Sequence, residues 1–273
     1  MIPEEPSHVS RSETGDRPAR TRREPPPFRH VAVRRVADLS PWMRRVTLAG
    51  PELEGLSVDL PAASVRLLLP SRGTTDLVVP TWNGNEFLLG DGTRPVLRTF
   101  TPRRLRPGDL ELDLDMVLHE SGAASDWARA AGPGDRAAVS GPGRGYQVDP
   151  EATSFLLAGD ESAMPAIGQL LESLPGAAVV DVHLEVAHPD ARVDFPDHPG
   201  ALVSWHDLPS GEPTGTALLA AVRATDLAEG TRVWVAGEAA AVQRIRRHLF
   251  EELGLERSAA TIRGYWKYGR DGT

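Results

Sequence analysis

The rhythm of apolar residues changes once along this 273-residue chain, near residue 150, and that change fixes the class of fold open to it. Before it, apolar residues come in short runs cut by proline and glycine. Leu110, Leu112, Leu114 and Met116 alternate with Glu111, Asp113 and Asp115, the mark of a strand with one buried face. Similar runs cover residues 31–36, 44–48, 64–69, 95–101 and 136–140, bounded by Ser40-Pro41, Pro70 and Gly132-Pro133-Gly134-Asp135. Six short strands predict a small antiparallel barrel, interrupted by one helix over residues 125–131.

After Pro150 strands alternate with helices. Strands are expected at 154–158, 179–186, 232–236 and 262–266. Between them come helices at 163–174, with Ile167, Leu170, Leu171 and Leu174 on one face, at 217–224, and at 239–253. That order predicts a parallel, doubly wound sheet. The expected architecture is two-domain, β then α/β: a six-stranded antiparallel barrel over 28–148 and a parallel-sheet α/β domain over 149–273. Residues 1–27, rich in Pro, Ser, Arg and Glu, cannot bury a core and read as a tail. This tail lacks the apolar segment of a secretory leader, so the cytoplasm is the expected compartment.

Composition removes several chemistries. With no cysteine there can be no disulfide, thiolate zinc site, iron–sulfur cluster or cysteine nucleophile. A net charge of −8 disfavours broad nucleic-acid binding, which draws on phosphate neutralisation. The longest apolar run, residues 217–222, is far too short to enter a membrane as a spanning helix. The histidines show no ligand spacing, so no metal site is expected, and Ser140 and Ser162 lack the partners of a hydrolase triad.

Four stretches carry chemistry. The first is His119 to Ala131, where a strand ends, Gly122 permits a turn and a helix starts. Its N-terminus can bind phosphate, and the same residues also describe an ordinary turn capped by Ser125. The second is Arg98-Thr99-Phe100-Thr101, whose alternation puts Arg98 and Phe100 on one face and Thr99 and Thr101 on the other. The aromatic can lie on a planar ring and the arginine can hold phosphate, or both can be ordinary strand residues. The third is the strand–turn–helix of residues 157–167, at the strand end where open α/β sheets take nucleotides. It is not G-x-G-x-x-G, and Asp160 and Glu161 suit ribose hydroxyls better than pyrophosphate. The fourth, residues 263–269, gathers Tyr265, Trp266 and Tyr268 with Arg263 and Lys267, the only lysine in the chain.

In this order the motifs RTFT (98–101), LHESGAASDWA (118–128), LAGDESAMPAI (157–167), WVAGEA (234–239) and GYWKYG (264–269) resemble the siderophore-interacting proteins, a family of ferredoxin–NADP reductase-like flavoproteins. The resemblance runs from about Arg29 to Gly269. It implies an FAD-binding barrel, an NAD(P)H-binding α/β domain, and reduction of ferric siderophores. RTFT is similar to the family's R-x-Y-[ST], with Phe100 for the usual Tyr, and implies flavin contacts from Arg98, Thr99, Phe100 and Thr101. The family's G-P-A-S turn reads here as Gly122, Ala123, Ala124 and Ser125, which implies a diphosphate site, with Met116, His119 and Trp127 beside it. Gly159, Asp160, Glu161 and Ser162 would meet the nicotinamide nucleotide, and Trp266 the cofactor.

The resemblance assigns the redox chemistry to the flavin, with no catalytic side chain. NAD(P)H or ferredoxin would supply electrons, and a ferric siderophore would receive them. Fe(II) binds hard oxygen ligands weakly and leaves. Catecholate siderophores are anionic, and Arg66, Arg144 and Lys267 are the expected basic lining of their pocket. A flavin reductase serving another acceptor, such as a monooxygenase, or a non-catalytic flavin or siderophore carrier, fits the same motifs. For the donor, Arg192 could hold a 2′-phosphate and Glu185 a ribose diol.

Overall fold

The computed structural model describes residues 24–269, so most of the expected tail lies outside the described residues. The first part of the chain runs β1 (Phe28–Ser40), β2 (Met43–Ala49), β3 (Val65–Leu69), a small hairpin β4 (Thr81–Trp82) and β5 (Phe87–Leu88), β6 (Val96–Phe100), β7 (Pro102–Arg106), β8 (Glu111–Val117), α1 (Ala123–Ala130) and β9 (Arg136–Ser140). Seven of these strands form one antiparallel sheet in the order β6-β3-β9-β1-β2-β8-β7. The two edge strands are consecutive in the chain and are parted only by Thr101. The sheet therefore curls round so that its two edge strands approach each other at that residue, with no ladder of hydrogen bonds between β6 and β7.

The count is seven where periodicity gives six. The addition is β7, which opens on Pro102 and carries Arg103, Arg104 and Arg106. A proline is tolerated at the first residue of an edge strand, but it hides the strand from a pattern search. The alternation in β8 holds, with Leu112, Leu114 and Met116 at most 1% exposed in the barrel core. The opposite face of β8 is also buried. Asp113 accepts from the Thr47 hydroxyl and from Arg106, each at 2.7 Å, and Asp115 accepts from Arg45 at 2.6 Å. Burial pushes the Asp113 carboxyl up, but the bonds from Arg106 and Thr47 outweigh it and hold the group below its ordinary range.

The second part runs β10 (Ser154–Gly159), α2 (Met164–Ser173), β11 (Val179–Val186), β12 (Ala201–Asp207), α3 (Thr216–Ala224), β13 (Arg232–Glu238), α4 (Ala239–Arg247) and β14 (Ala260–Trp266). All five strands are parallel, in the order β12-β11-β10-β13-β14. β12 is absent from the sequence reading. It is an edge strand with Leu202 in solvent, and with Ser204, Trp205 and His206 it shows no clean alternation. The expected long helix ends as α4 at Arg247 and continues as a wider turn over His248–Glu252.

The two sheets share a core. Met43, Ala62 and Tyr146 of the first part cluster with Leu157, Ile167 and Trp234 of the second. Arg263 donates to the carbonyls of Ala62, Arg144 and Gly145. Gln169 accepts from the Ala62 amide and donates to the Pro102 carbonyl. Trp42 stacks on His188 at 4.1 Å.

Candidate functional site

In the parallel sheet the strand order reverses at β10, whose neighbours are β11 and β13. Ligands of open α/β sheets sit at the carboxyl ends of such strands. Here the barrel supplies the facing wall through the turn from β8 into α1. The N-cap of α1 is Gly122 at φ +131, and no side chain caps that end. A Cβ added to Gly122 would meet nothing within 4 Å, so this helix end opens on free space. Ser125, the cap expected from sequence, lies inside the first turn instead. Its hydroxyl accepts from the His119 amide at 3.0 Å and donates to the Val117 carbonyl at 3.4 Å. The turn is thus fastened from within, and no side chain caps the α1 end.

The β3–β6 register pairs Leu67 with Arg98 and Val65 with Phe100, which puts Arg98 and Phe100 on the barrel-core face. Phe100, Ala124 and Trp127 each pack against that core, and the RTFT strand and α1 are in contact at its rim. Thr99 is exposed on the other face, and buried Thr101 hydrogen-bonds Tyr265 of β14. Met116 is 1% exposed inside the barrel. It cannot touch a ligand, and the reading of it as a cofactor contact is corrected to a core role.

Across the crevice, Gly159 ends β10 and Asp160 caps the turn that follows. Asp160 is fully engaged by four donors and is not open to a ribose, contrary to the sequence expectation. Ser162 supplies two of those donors and points inward for the same reason. Glu161 accepts from the Ala187 amide, and burial, with Asp160 nearby, pushes its carboxyl up to about 7. Burial lowers His119, partly offset by the Asp160 charge. The Trp266 ring stands 5.7 Å from that of His119.

Glu161 sets a pH dependence. Its native pKa lies above the unfolded carboxyl value, so the folded state holds the extra proton between about pH 4.5 and 7. Stability from this group is present at low pH and falls as pH rises through that window. Glu161→Gln should therefore raise the melting temperature at pH 8, by about 3–5 °C for ~1–2 kcal/mol, and leave it unchanged at pH 5. Equal shifts at both pH values would refute this.

The three basic residues expected in one substrate pocket stand in different surroundings. Arg66 pairs in register with Thr99 and Ser140, on the face opposite Arg98, with its guanidinium 5.8 Å from the Phe87 ring. Arg144 lines a cleft of about 340 Å³ with Arg232, Ser258 and Thr261, at the starts of β13 and β14. Lys267 alone is in the crevice region, exposed just past Trp266. Glu185 is 2% exposed and accepts from the Gly215 and Leu218 amides, so it caps α3 and cannot hold a ribose diol. Arg192 lies at the surface, 2.7 Å from Asp207 and over the Trp205 ring.

The sequence reading took Tyr265 only as one of the aromatics of residues 263–269, and gave Gly237 and Glu238 no role beyond their place in the WVAGEA motif. One signal was available: β10, where the strand order reverses, ends in Gly159 with Asp160 next, and its neighbour β13 ends in Gly237-Glu238. Among the described residues no three His, Cys, Asp or Glu side chains are grouped to hold a metal ion, and no helix is long and apolar enough to cross a membrane.

Residues 32–146 match the siderophore-interacting FAD-binding domain family, and residues 152–269 match the siderophore-interacting protein family. The chain belongs to the siderophore-interacting proteins. It is 30% identical to the ferric vibriobactin reductase ViuB of Vibrio cholerae over 230 residues, 83% of this chain and 84% of that protein. It is 32% identical to the NADPH-dependent ferric-chelate reductase of Escherichia coli over 246 residues, 88% of this chain and 92% of that one. A siderophore utilization protein from T. fusca superimposes with a TM-score of 0.80 at 35% identity, covering 90% of this chain and 95% of its own. The T. fusca protein therefore shares the barrel-plus-parallel-sheet architecture.

Proposed function

We propose that this siderophore-interacting protein is an FAD-dependent ferric-siderophore reductase of the cytoplasm, drawing electrons from NADPH. The observation that carries the reading is the barrel rim, where an uncapped helix end, Arg98 and Phe100 adjoin one core and His119 of the same turn faces Trp266 of the parallel sheet. That donor set fits FAD. The α1 amides and the Arg98 guanidinium would bind the diphosphate, and Phe100 gives a flat apolar face without the phenol of the family's tyrosine. When bound, FAD would supply hydride acceptance from a nicotinamide and single-electron release to ferric iron, two ferric ions per nicotinamide. Trp266 and His119 would line the crevice from its two sides, and Lys267 at its edge would attract an anionic chelate. Glu161 holds or loses a proton near neutral pH beside the strand ends.

NADPH is favoured over NADH by the fate of Glu185, whose two carboxylate oxygens are engaged by α3. Arg192 is the surface cation at that edge, and its exposed pair with Asp207 is weak enough to yield to a phosphate. Arg192→Ala should raise KM for NADPH about tenfold and leave KM for NADH unchanged. Equal effects on both would remove Arg192 from this role.

The direct test is anaerobic stopped-flow absorbance. Protein loaded with FAD should bleach with NADPH and recover colour when a ferric catecholate is added, releasing Fe(II) to a ferrous chelator. Bleaching by reduced ferredoxin alone would change the donor. Bleaching without faster recovery on ferric siderophores than on other acceptors would move the protein to the general flavin reductases. A protein that binds no FAD would end the proposal.

A further inference from the structure

Asp160 is the most tightly held acid at the switch point. It is 3% exposed. Its Oδ1 accepts from the Ser162 amide at 2.9 Å and from the Ser162 hydroxyl, and its Oδ2 accepts from the Glu238 amide and the Trp266 indole Nε1, each at 2.8 Å. A carboxylate is an acceptor only, and four donors on two oxygens satisfy it. An asparagine would turn its own N–H groups on the two donors that meet at one of these oxygens.

The backbone is shaped around this group. Gly237, at φ +152, passes so close that an added Cβ would lie 2.7 Å from Asp160 Oδ2. A Cβ on Gly159 would lie 2.4 Å from Ala163 Cβ and 2.7 Å from the Ala236 carbonyl oxygen. The ends of β10, β13 and β14 therefore converge on one carboxylate. The segment after Trp266 is tied a second time, because the Tyr268 amide approaches Glu238 Oε1 at 3.3 Å while Glu238 Oε2 caps α4 through the Ala241 amide. Beyond the clamp, the half-buried indole faces His119, which comes from the barrel domain.

We propose that Asp160 is a positioning residue which fixes the Trp266 indole as a rigid wall of the inter-domain crevice, so that bound flavin and nicotinamide meet an aromatic surface of one orientation. The inference rests on the flavin reading of that crevice. Asp160 touches neither ligand and acts only through Trp266. A ring held by one hydrogen bond on its nitrogen and by its own strand cannot swing into the space a nicotinamide needs.

The test uses the full chain labelled with 5-fluorotryptophan, followed by fluorine NMR without cofactor and by visible circular dichroism and kinetics with FAD. Trp266→Phe identifies the Trp266 resonance. In the wild type that resonance should be single and sharp, and in Asp160→Asn it should shift or split while far-ultraviolet dichroism is unchanged. With FAD bound, Asp160→Asn should reproduce the altered flavin dichroism of Trp266→Phe and raise KM for NADPH about tenfold, with kcat within about twofold. An unchanged Trp266 resonance in Asp160→Asn overturns the clamp, whether or not flavin binds. A shifted resonance with wild-type flavin dichroism and KM overturns the wall. Should Asp160→Asn fail to fold, Trp266→Phe decides alone, since it deletes one bond of the four: unchanged flavin dichroism and nicotinamide KM would refute the proposal. A wild type that shows the clamp by NMR but takes up no FAD defeats the flavin reading and leaves the clamp standing.

Discussion

Arg98→Ala protein will purify pale, regain its yellow colour only in excess FAD, and melt within a degree or two of the wild type. Arg98 sits on β6 with its guanidinium 3.0 Å from the Leu97 carbonyl, on the face that also carries Phe100 and meets α1. A charge-assisted bond to phosphate is worth roughly 2–3 kcal/mol, so FAD affinity should fall about 30- to 150-fold. The fold should survive because the barrel core is built from Val65, Leu67, Leu112 and Leu114, not from the arginine. Thr99→Ala makes the control. Thr99 is the next residue on the same strand but is exposed on the opposite face, against the flavin contact that the resemblance implies for it, and that variant should keep its flavin. Equilibrium titration of apo-protein with FAD gives both numbers. An Arg98→Ala protein that retains stoichiometric FAD through purification would remove the barrel rim as the diphosphate site.

Much of the framework could be read from the chain, because a buried face imposes its own period. β11 spans the residues expected of it, and the β8 alternation marks the barrel interior. What could not be read depends on partners distant in sequence. β7 is hidden by Pro102 and its arginines, and is held as a strand by its ladder to β8, where Asp113 and Glu111 meet Arg106. Nothing local to residue 160 says that Trp266 and Glu238 will donate to it, so an acid at a nucleotide-type turn read as a ligand contact. Glu185 misled for the same reason, since its partners Gly215 and Leu218 lie across a strand and a loop. The basic residues show the converse limit. Charge can be counted from sequence, but whether Arg66, Arg144 and Lys267 share a pocket depends on strand parity and on which end of a sheet each occupies.

Trp234→Ala should be the most destabilising of these changes, because this side chain sits where the two domains stop being separate. Trp234 is wholly buried at the centre of β13, in the cluster that includes Met43, Ala62 and Tyr146 of the barrel half. Its ring meets Tyr265 edge-on at 6.2 Å, and the Tyr265 hydroxyl reaches Thr101, the residue that joins the two edges of the barrel. Removing the indole opens a cavity that β10 and β13, paired residue by residue, cannot collapse to fill. The cost is about 3–5 kcal/mol, which lowers the melting temperature by about 10 °C or more for a chain of this size. Trp234→Phe should cost much less, since it keeps most of the volume and removes an indole N–H that has no hydrogen-bond partner among the described residues. Because the cluster crosses the domain boundary, release of FAD from the barrel and loss of helical dichroism from the α/β half should coincide in both variants. Two transitions, with only the helical one moved by Trp234→Ala, would show that the shared core does not couple the halves, and the crevice between them would then have to be treated as a joint that moves.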